Sequence, residues 1–325
     1  MSFDAESPAY VLVRWVLYLG VLLAVGAISF ALAVVPLLER KGRDSAFADG
    51  AAARAAAIGF HATMLVIIAT LFRLAAQLYA FYDPNEGPDV DLIRSMVMQT
   101  VWGWGWLLQF VSALVTTCGL HFVKARLHDG TPGAKIPWFF ACGGAVGLAL
   151  SCALSGHAAA VAQYAPLAVL ADTLHVLGAG AWLGGLAVLT NVAFRVRPAA
   201  PAEAAAESPS RSSALLMSFT PVALIAASTV AVTGAFATWL HVHDFSQLVS
   251  TPYGIRLSAK LIAVASVAAL GALNWRWFTP RESRTNGARN LRIAAALEVG
   301  LGALALLATA ILVATATPDD LVSGE

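Results

Sequence analysis

Residues 16–38 read VLYLGVLLAVGAISFALAVVPLL, a run of 23 amino acids that contains no charged side chain. An α-helix rises about 1.5 Å per residue, so this run is long enough to cross the roughly 30 Å hydrocarbon core of a bilayer. A secretory signal peptide begins with basic residues and has a shorter apolar core, whereas Asp4 and Glu6 precede this run. We therefore expect the segment to stay in the protein as a first membrane-spanning helix.

The same pattern occurs eight times along the chain. Apolar stretches of about 20 residues or more predict spanning helices, and they occupy Tyr10–Leu38, Ala55–Tyr82, Ser95–Val123, Ile136–Gly156, Pro166–Phe194, Ala214–Leu240, Leu257–Phe278 and Ile293–Thr317. A membrane β-barrel would instead show short segments of alternating hydrophobicity. The sequence therefore predicts an all-α protein, a polytopic membrane bundle of eight transmembrane helices.

The composition supports this fold class. Hydrophobic residues make up 59% of the 325 residues and charged residues 12%, against roughly 45–50% and 25% in soluble domains. A soluble core of this size cannot bury so much apolar surface, so most of it must face lipid. The net charge of +1 gives no electrostatic basis for binding nucleic acid. The three cysteines lie in apolar runs, which argues against a secreted disulfide framework.

Basic residues predict the orientation of the bundle. The loops after the first, third, fifth and seventh spans contain 15 of the 20 Lys and Arg residues, and the opposite loops contain only Arg94 and Arg256. Cytoplasmic loops carry the excess of basic residues in membrane proteins. We therefore expect those four loops to be cytoplasmic and both termini to lie outside.

One polar segment divides the predicted bundle. Residues 197–213 are rich in Pro, Ala, Glu and Ser, which is typical of a flexible linker, here on the cytoplasmic side. The first half then covers residues 1–196 with spans one to five, and the remainder covers residues 214–325 with spans six to eight.

Ionisable side chains at membrane depth cost several kcal/mol by most estimates and usually face the interior of a bundle. The candidates well inside the predicted spans are Arg73, Asp172, Lys260 and Glu298. Since an unpaired buried charge is costly, we predict that Asp172 is ionised and pairs with Lys260 or Arg73.

The fifth predicted span carries the densest polar pattern. Asp172 and His175 are three residues apart and Trp182 follows His175 by seven, so a regular helix would place all three on one face. Gly180 and Gly184 lie beside them as a small-xxx-small pair, which lets another helix backbone approach closely. The glycines therefore predict helix packing, and His175 with its acidic neighbour predicts a functional site.

Side chains that suit copper lie at the ends of several spans, and methionine favours Cu(I) in particular. His157 and His175 lie nine residues before and after Pro166, so a nearly symmetric turn would bring them face to face. We predict that they form the principal copper site, in the outer half of the bundle. A weaker outer capture site and an inner station are predicted from the remaining side chains: Met96, Met98, His241 and His243 outside, and Cys118 with His121 inside.

A family resemblance joins these features. Ser155-Gly-His-Ala158 and Asp172-Thr-Leu-His175 resemble motifs of the copper-resistance D family of bacterial inner-membrane proteins. Further matching positions extend the resemblance over about residues 155–318: Trp182-Leu-Gly-Gly185, Thr233-Gly234, Tyr253-Gly254, Lys260, Asn274 and Glu298. The resemblance implies eight spans and transport of copper across the inner membrane. It also implies a separate periplasmic copper-binding partner of the copper-resistance C type.

Two other functions fit parts of the pattern. A membrane b-type cytochrome would hold haem between histidines of facing helices, using His61, His121, His157 and His175 as two pairs. An assembly factor would instead hand copper to a membrane oxidase. We find no nucleophile–base arrangement in the sequence, so we do not expect an enzyme.

Overall fold

The computed structural model describes residues 7–40, 45–81, 90–129, 135–156, 164–195, 211–242, 244–278 and 287–315. Within these ranges the chain is helical and contains no β-strand. Eight helical segments are long and apolar enough to cross a membrane. This confirms the predicted all-α polytopic bundle.

We number the α-helices α1–α12 in chain order and the membrane-crossing segments as spans 1–8. Two spans are composite: span 1 comprises α1 (Pro8–Ser29), a π turn (Phe30–Val34) and α2 (Val35–Arg40), and span 5 comprises α7 (Ala165–Ala179), a π turn (Gly180–Gly184) and α8 (Gly185–Arg195). The other spans are α3 (Ser45–Phe81), α5 (Val101–His128), α6 (Lys135–Leu154), α9 (Arg211–His241), α11 (Pro252–Phe278) and α12 (Gly287–Leu312). Short helices α4 (Val90–Gln99) and α10 (Gln247–Ser250) precede spans 3 and 7.

The spans alternate in direction. Arg14 near the start of span 1 donates a hydrogen bond to the carbonyl oxygen of Ala310 near the end of span 8. Trp106 near the start of span 3 likewise donates to the carbonyl oxygen of Thr70 in the second half of span 2. Span 1 therefore begins at the same face of the bundle at which span 8 ends. We call this face the terminal face and the other one the opposite face.

The third span begins later than predicted. The apolar pattern predicted one helix from Ser95, but Thr100 has an extended backbone (φ −113°, ψ 150°) and separates α4 from α5. Its hydroxyl accepts a hydrogen bond from the backbone N–H of Gly103 at 2.9 Å, so Thr100 caps a new helix. Gly103 has no side chain to block the last turn of α4, which folds back against it. Met96 and Met98 consequently lie on α4 and not on span 3.

The predicted linker also ends earlier in the sequence than expected. Helix α9 begins at Arg211, so residues 211–213 are helical. Residues 197–210 lie outside the described part of the chain. Span 7 begins at Pro252, five residues before the predicted Leu257.

Span 1 is the most enclosed of the eight spans. It contacts spans 2, 4, 5, 6 and 8, and its apolar side chains belong to both major clusters of the core. One cluster lies toward the opposite face and includes Phe30, Leu38 and Leu215. The other includes Leu17, Val66 and Leu148 and lies between spans 1 to 4. Span 1 is therefore the axis on which the other spans pack.

Large apolar side chains also cover the outside of the bundle. Phe72, Ile225 and Ile262 are 61%, 71% and 68% exposed on spans 2, 6 and 7. Such a surface would be unfavourable in water, whereas it matches the hydrocarbon of a bilayer. The chain is a multi-pass membrane protein.

Spans 1 and 5 touch backbone to backbone. A Cβ on Gly184 would overlap the carbonyl oxygen of Leu22, and a Cβ on Gly26 would overlap the backbone of Gly184. Gly180 adds to this contact, because a Cβ there would lie 2.5 Å from Val25 Cβ. The glycine pair of span 5 thus packs against span 1, as the small-xxx-small spacing predicts.

We predict that Gly184→Ala destabilises the protein by roughly 1–3 kcal/mol or more, since a methyl group has no space at this contact. The Tm in detergent should fall by several degrees. Gly300→Ala and Gly143→Ala are matched controls, because a Cβ at either position meets no atom within 4 Å. Equal Tm values for Gly184→Ala and the two controls would contradict the close contact.

Candidate metal centre

His175 lies on α7 at the junction of spans 5 and 6. Its Nδ1 is 2.9 Å from Thr233 Oγ1 on span 6. Gly234 follows Thr233 and lies directly beside the imidazole. A Cβ at this position would be 3.4 Å from His175 Cε1. Span 6 therefore presents the Thr233 hydroxyl, the backbone of Val230 and one residue without a side chain to the imidazole.

The hydrogen bonds of Thr233 favour one tautomer of this ring. A threonine hydroxyl has one proton, and that of Thr233 is donated to the carbonyl oxygen of Thr229 at 2.6 Å. With that proton used, Thr233 Oγ1 can accept from His175, which favours the tautomer in which Nδ1 carries the imidazole proton. This leaves the lone pair of His175 Nε2 available, which is the arrangement found in metal-binding histidines whose other nitrogen donates to a neighbour.

Asp172 lies about one helical turn before His175. Its carboxylate interacts electrostatically with the ammonium group of Lys260 on span 7. It also borders the end of span 4, because a Cβ on Gly156 would lie 4.0 Å from Asp172 Oδ2. Asp172 thus connects the end of span 4 with spans 5 and 7.

Three of the predicted histidine ligands cannot be placed. His157 and His243 lie outside the described residues, as does the side chain of His241. The chain nevertheless reaches Gly156 beside Asp172, and His157 is the next residue in the sequence. The pairing of His157 with His175 stays a prediction.

The methionines of the predicted capture site lie on α4. Met98 is 52% exposed and Met96 is half-buried. Residues two apart on an α-helix do not face each other, so the two thioethers point away from one another. One α4 helix therefore cannot direct both sulfur atoms to a single ion.

Cys118, His121 and His61 lie toward the opposite face and are exposed on the surface of spans 2 and 3. The His61 Nδ1–H donates to the carbonyl oxygen of Ala57 at 2.6 Å. Phe60 packs against both imidazoles, with ring centroids 5.5 Å from His61 and 6.1 Å from His121. These three side chains lie on the surface of the bundle and are not part of the site around His175.

Across the described ranges, no three His, Cys, Asp or Glu side chains form a group that could hold a metal ion. A metal centre at His175 therefore needs either a two-coordinate ion or a ligand from beyond these ranges. His157 would be the second ligand of a two-coordinate ion, and it lies beyond the described ranges.

The supporting residues separate into distinct environments. Arg73 is 8% exposed and donates a hydrogen bond to Gln109 Oε1 at 3.4 Å, and it also lies over the ring of Trp102 at 5.5 Å. Of the two cations predicted as partners of Asp172, Lys260 is the one that acts electrostatically on its carboxyl group. Trp182 lies half-buried in the π turn of span 5, beyond the regular helix that carries His175.

Glu298 lies toward the opposite face, between spans 7 and 8. It is 6% exposed, and its Oε1 accepts a hydrogen bond from Asn274 Nδ2. Gly271 leaves space beside the carboxylate, since a Cβ there would lie 3.7 Å from Glu298 Oε2. Asn274 thus compensates part of the cost of placing this carboxyl group inside the bundle.

The sequence patterns did not identify the partners of these residues. Gln109 is fully buried and connects three spans: its Oε1 accepts from Arg73 on span 2, and its Nε2 donates to Ser151 on span 4. It is the only Asn or Gln in span 3. A lone amide side chain at membrane depth is the sequence feature that could have identified it as a residue that links helices.

Comparisons with known proteins agree with this architecture. Two family models match the chain: "Copper resistance protein D-like, N-terminal domain" over residues 4–165 and "Copper resistance protein D" over residues 213–312. The chain is also similar to the "Copper transport protein CutJ" of Bacillus subtilis (strain 168), with 26% identity over 233 residues. No solved structure matches the chain significantly.

The chain belongs to the copper-resistance D family. The N-terminal match extends this relationship over spans 1 to 4, where the sequence motifs offered no residues for comparison. The aligned region covers 70% of this chain and 39% of CutJ, so the chain spans less than half the length of that relative.

We predict energetic coupling between Asp172 and Lys260. Asp172→Asn and Lys260→Met should each destabilise the protein, because each leaves one buried charge without its partner. The double variant should recover about 1–3 kcal/mol relative to the sum of the single changes, measured by unfolding in mixed micelles. Asp172→Asn with Arg73→Met is the matched control, and its effects should be nearly additive. Stronger coupling to Arg73 than to Lys260 would contradict the pairing.

Proposed function

We propose that this chain transports copper across the bacterial inner membrane and that His157 and His175 hold the ion during passage. The observation that carries the proposal is the arrangement at His175. Thr233 holds its Nδ1–H and leaves Nε2 available, while the residue before His157 lies beside Asp172. Family membership indicates which metal the site would hold, since both matching models describe copper-resistance proteins.

The ligand chemistry favours Cu(I). Two neutral imidazoles bring no negative charge into the membrane, where desolvating a charge is expensive. Cu(II) prefers four ligands in a tetragonal arrangement, whereas Cu(I) accepts few ligands, and those of soft or borderline character. A site with two histidines therefore suits a low-coordinate Cu(I) ion, which must also be released during transport.

Asp172 and Lys260 set the charge around the proposed site. Because the carboxylate and the ammonium compensate each other, a copper ion at His175 adds one positive charge to a nearly neutral pair. Asp172 also borders the residue before His157, so it can position that segment against span 5. We assign both residues a positioning role.

The terminal face would be periplasmic in this proposal. Met96 and Met98 lie on α4 at that face, and with His241 and His243, which follow span 6 in the sequence, they would receive copper there. A periplasmic copper-binding protein of the copper-resistance C type would deliver the ion. Cys118 and His121 lie toward the opposite face and would take part in release.

Copper binding by purified protein tests the site. We expect competition with a chromophoric Cu(I) chelator to show one ion bound, and we expect His157→Ala or His175→Ala to abolish tight binding. Thr233→Val should weaken binding by roughly 10-fold or more, since it removes the group that orients His175. His61→Ala is the matched control, because this histidine is exposed and lies toward the opposite face.

Two results would contradict the copper site. Full copper binding by the variant that lacks both His157 and His175 would place the ion elsewhere. A haem absorbance band that disappears in the same variant would show that these histidines serve a b-type cytochrome.

Orientation is tested separately. We expect a reporter enzyme that is active only in the periplasm to be active when fused after Glu325, because the basic loops lie on the other side of the membrane. A fusion after residue 205, between spans 5 and 6, should give the opposite result. Reversed activities would exchange the capture and release sides but would leave the histidine site unchanged.

A further inference from the structure

A small cleft lies between spans 1 to 4 near the terminal face. Its polar lining comes from one residue or more on each span: Arg14, Tyr18, Arg73, Gln109, Cys152 and Ser155. The space at its centre is about what one water molecule or one monatomic ion occupies. None of these residues belongs to the proposed histidine site.

Two guanidinium groups face this cleft. Arg73 uses one donor for Gln109 Oε1 and stacks over Trp102. Arg14 donates to the carbonyl oxygen of Ala310 at 3.1 Å and lies over the ring of Tyr10 at 4.9 Å. A guanidinium has five N–H donors, so most donors of both groups are without a partner among the described residues. Neither group contacts an acidic side chain among the residues that the structure describes.

The surrounding charge is positive. Asp172 acts electrostatically on Tyr18 and Cys152 from span 5, but it also interacts with Lys260. Three cations, Arg14, Arg73 and Lys260, therefore share one described carboxylate. An excess of two positive charges at this depth is costly in a medium of low dielectric constant.

The neutral groups of the cleft complete its donor character. The Tyr18 hydroxyl lines the cleft, and within the described ranges it has no hydrogen-bond partner. The Gln109 amide is held by Arg73, which donates to its Oε1, and by Ser151, which accepts from its Nε2. The cleft therefore offers N–H and O–H donors to a ligand that accepts them.

We propose that this cleft binds a monovalent anion of chloride size between Arg14, Tyr18 and Arg73. The anion accepts hydrogen bonds from both guanidinium groups and neutralises part of the excess charge. A polyatomic anion such as phosphate is too large for the space. The bound anion also lowers the positive potential that a copper ion meets when it approaches span 5 from the terminal face. The site follows from the cleft alone and does not depend on copper transport.

Thermal unfolding of purified, copper-free protein in detergent tests the site. Chloride is titrated against gluconate at constant ionic strength. We expect a saturable rise in Tm of several degrees for the native protein, since a ligand that binds only the folded state stabilises it by mass action. Bromide should substitute for chloride and would mark the site by anomalous scattering.

Variants link the effect to the cleft. Arg73→Gln should abolish the chloride dependence, and Tyr18→Phe, which removes a single hydroxyl, should raise the half-saturating chloride concentration several-fold. Arg54→Gln is the matched control, because Arg54 is half-buried toward the opposite face and donates to Asn191 Oδ1 at 2.8 Å. Its chloride dependence should equal that of the native protein. If Arg73→Gln does not fold, Tyr18→Phe alone decides the test.

Three results would overturn the proposal. The first is a Tm that does not change with chloride in the native protein. The second is a chloride effect of equal size and midpoint in Tyr18→Phe. The third is a chloride effect that appears only after Asp83, Asp89 and Asp91 are changed to Asn, because the chain's own carboxylates would then occupy the cleft. If anionic lipid stabilises the protein and chloride does not, the proposal is also overturned, and the ligand of the cleft would be a lipid headgroup.

Discussion

The backbone contact between spans 1 and 5 is the constraint on which the rest of the bundle depends. Gly26 and Gly184 allow the two helices to approach more closely than any pair with side chains at those positions could. Both helices change to a π turn near this contact, at Phe30–Val34 and Gly180–Gly184. Span 5 is thereby held against the most enclosed span, which fixes the height and rotation of α7 and of His175 on it.

Polar groups inside the bundle follow a common rule in this protein. Each of the four charged side chains predicted at membrane depth has a polar or charged neighbour on another span: Lys260 for Asp172, Gln109 for Arg73 and Asn274 for Glu298. Lipid offers no water to replace these interactions. They therefore connect spans 5 to 7, 2 to 3 and 7 to 8, and they specify which helices are neighbours as well as where a charged ligand can be tolerated.

The sequence predicts the eight spans because bilayer thickness sets the minimum length of an apolar helix. It could not predict the partner of each polar side chain, because that depends on helix rotation. The Thr100 cap moved both methionines off span 3, and the π turn in span 5 ends the regular spacing that relates Trp182 to His175. Asp172 and His175 are on the same regular helix, and there the spacing argument held. Thr233 was visible as a motif residue, but its hydrogen bond to His175 required the packing of span 6 against span 5.

The π turn of span 5 makes the chain sensitive to length as well as to composition. Such a turn contains one residue more than the α-helical turn it replaces, and each residue of an α-helix advances the side chains by about 100°. Deleting a single amino acid between Gly180 and Gly184 would let the helix run without interruption. Everything before the deletion would then be out of angular phase with everything after it by about 100°. Either the Gly184 contact with span 1 or the His175 contact with Thr233 could keep its orientation, but not both.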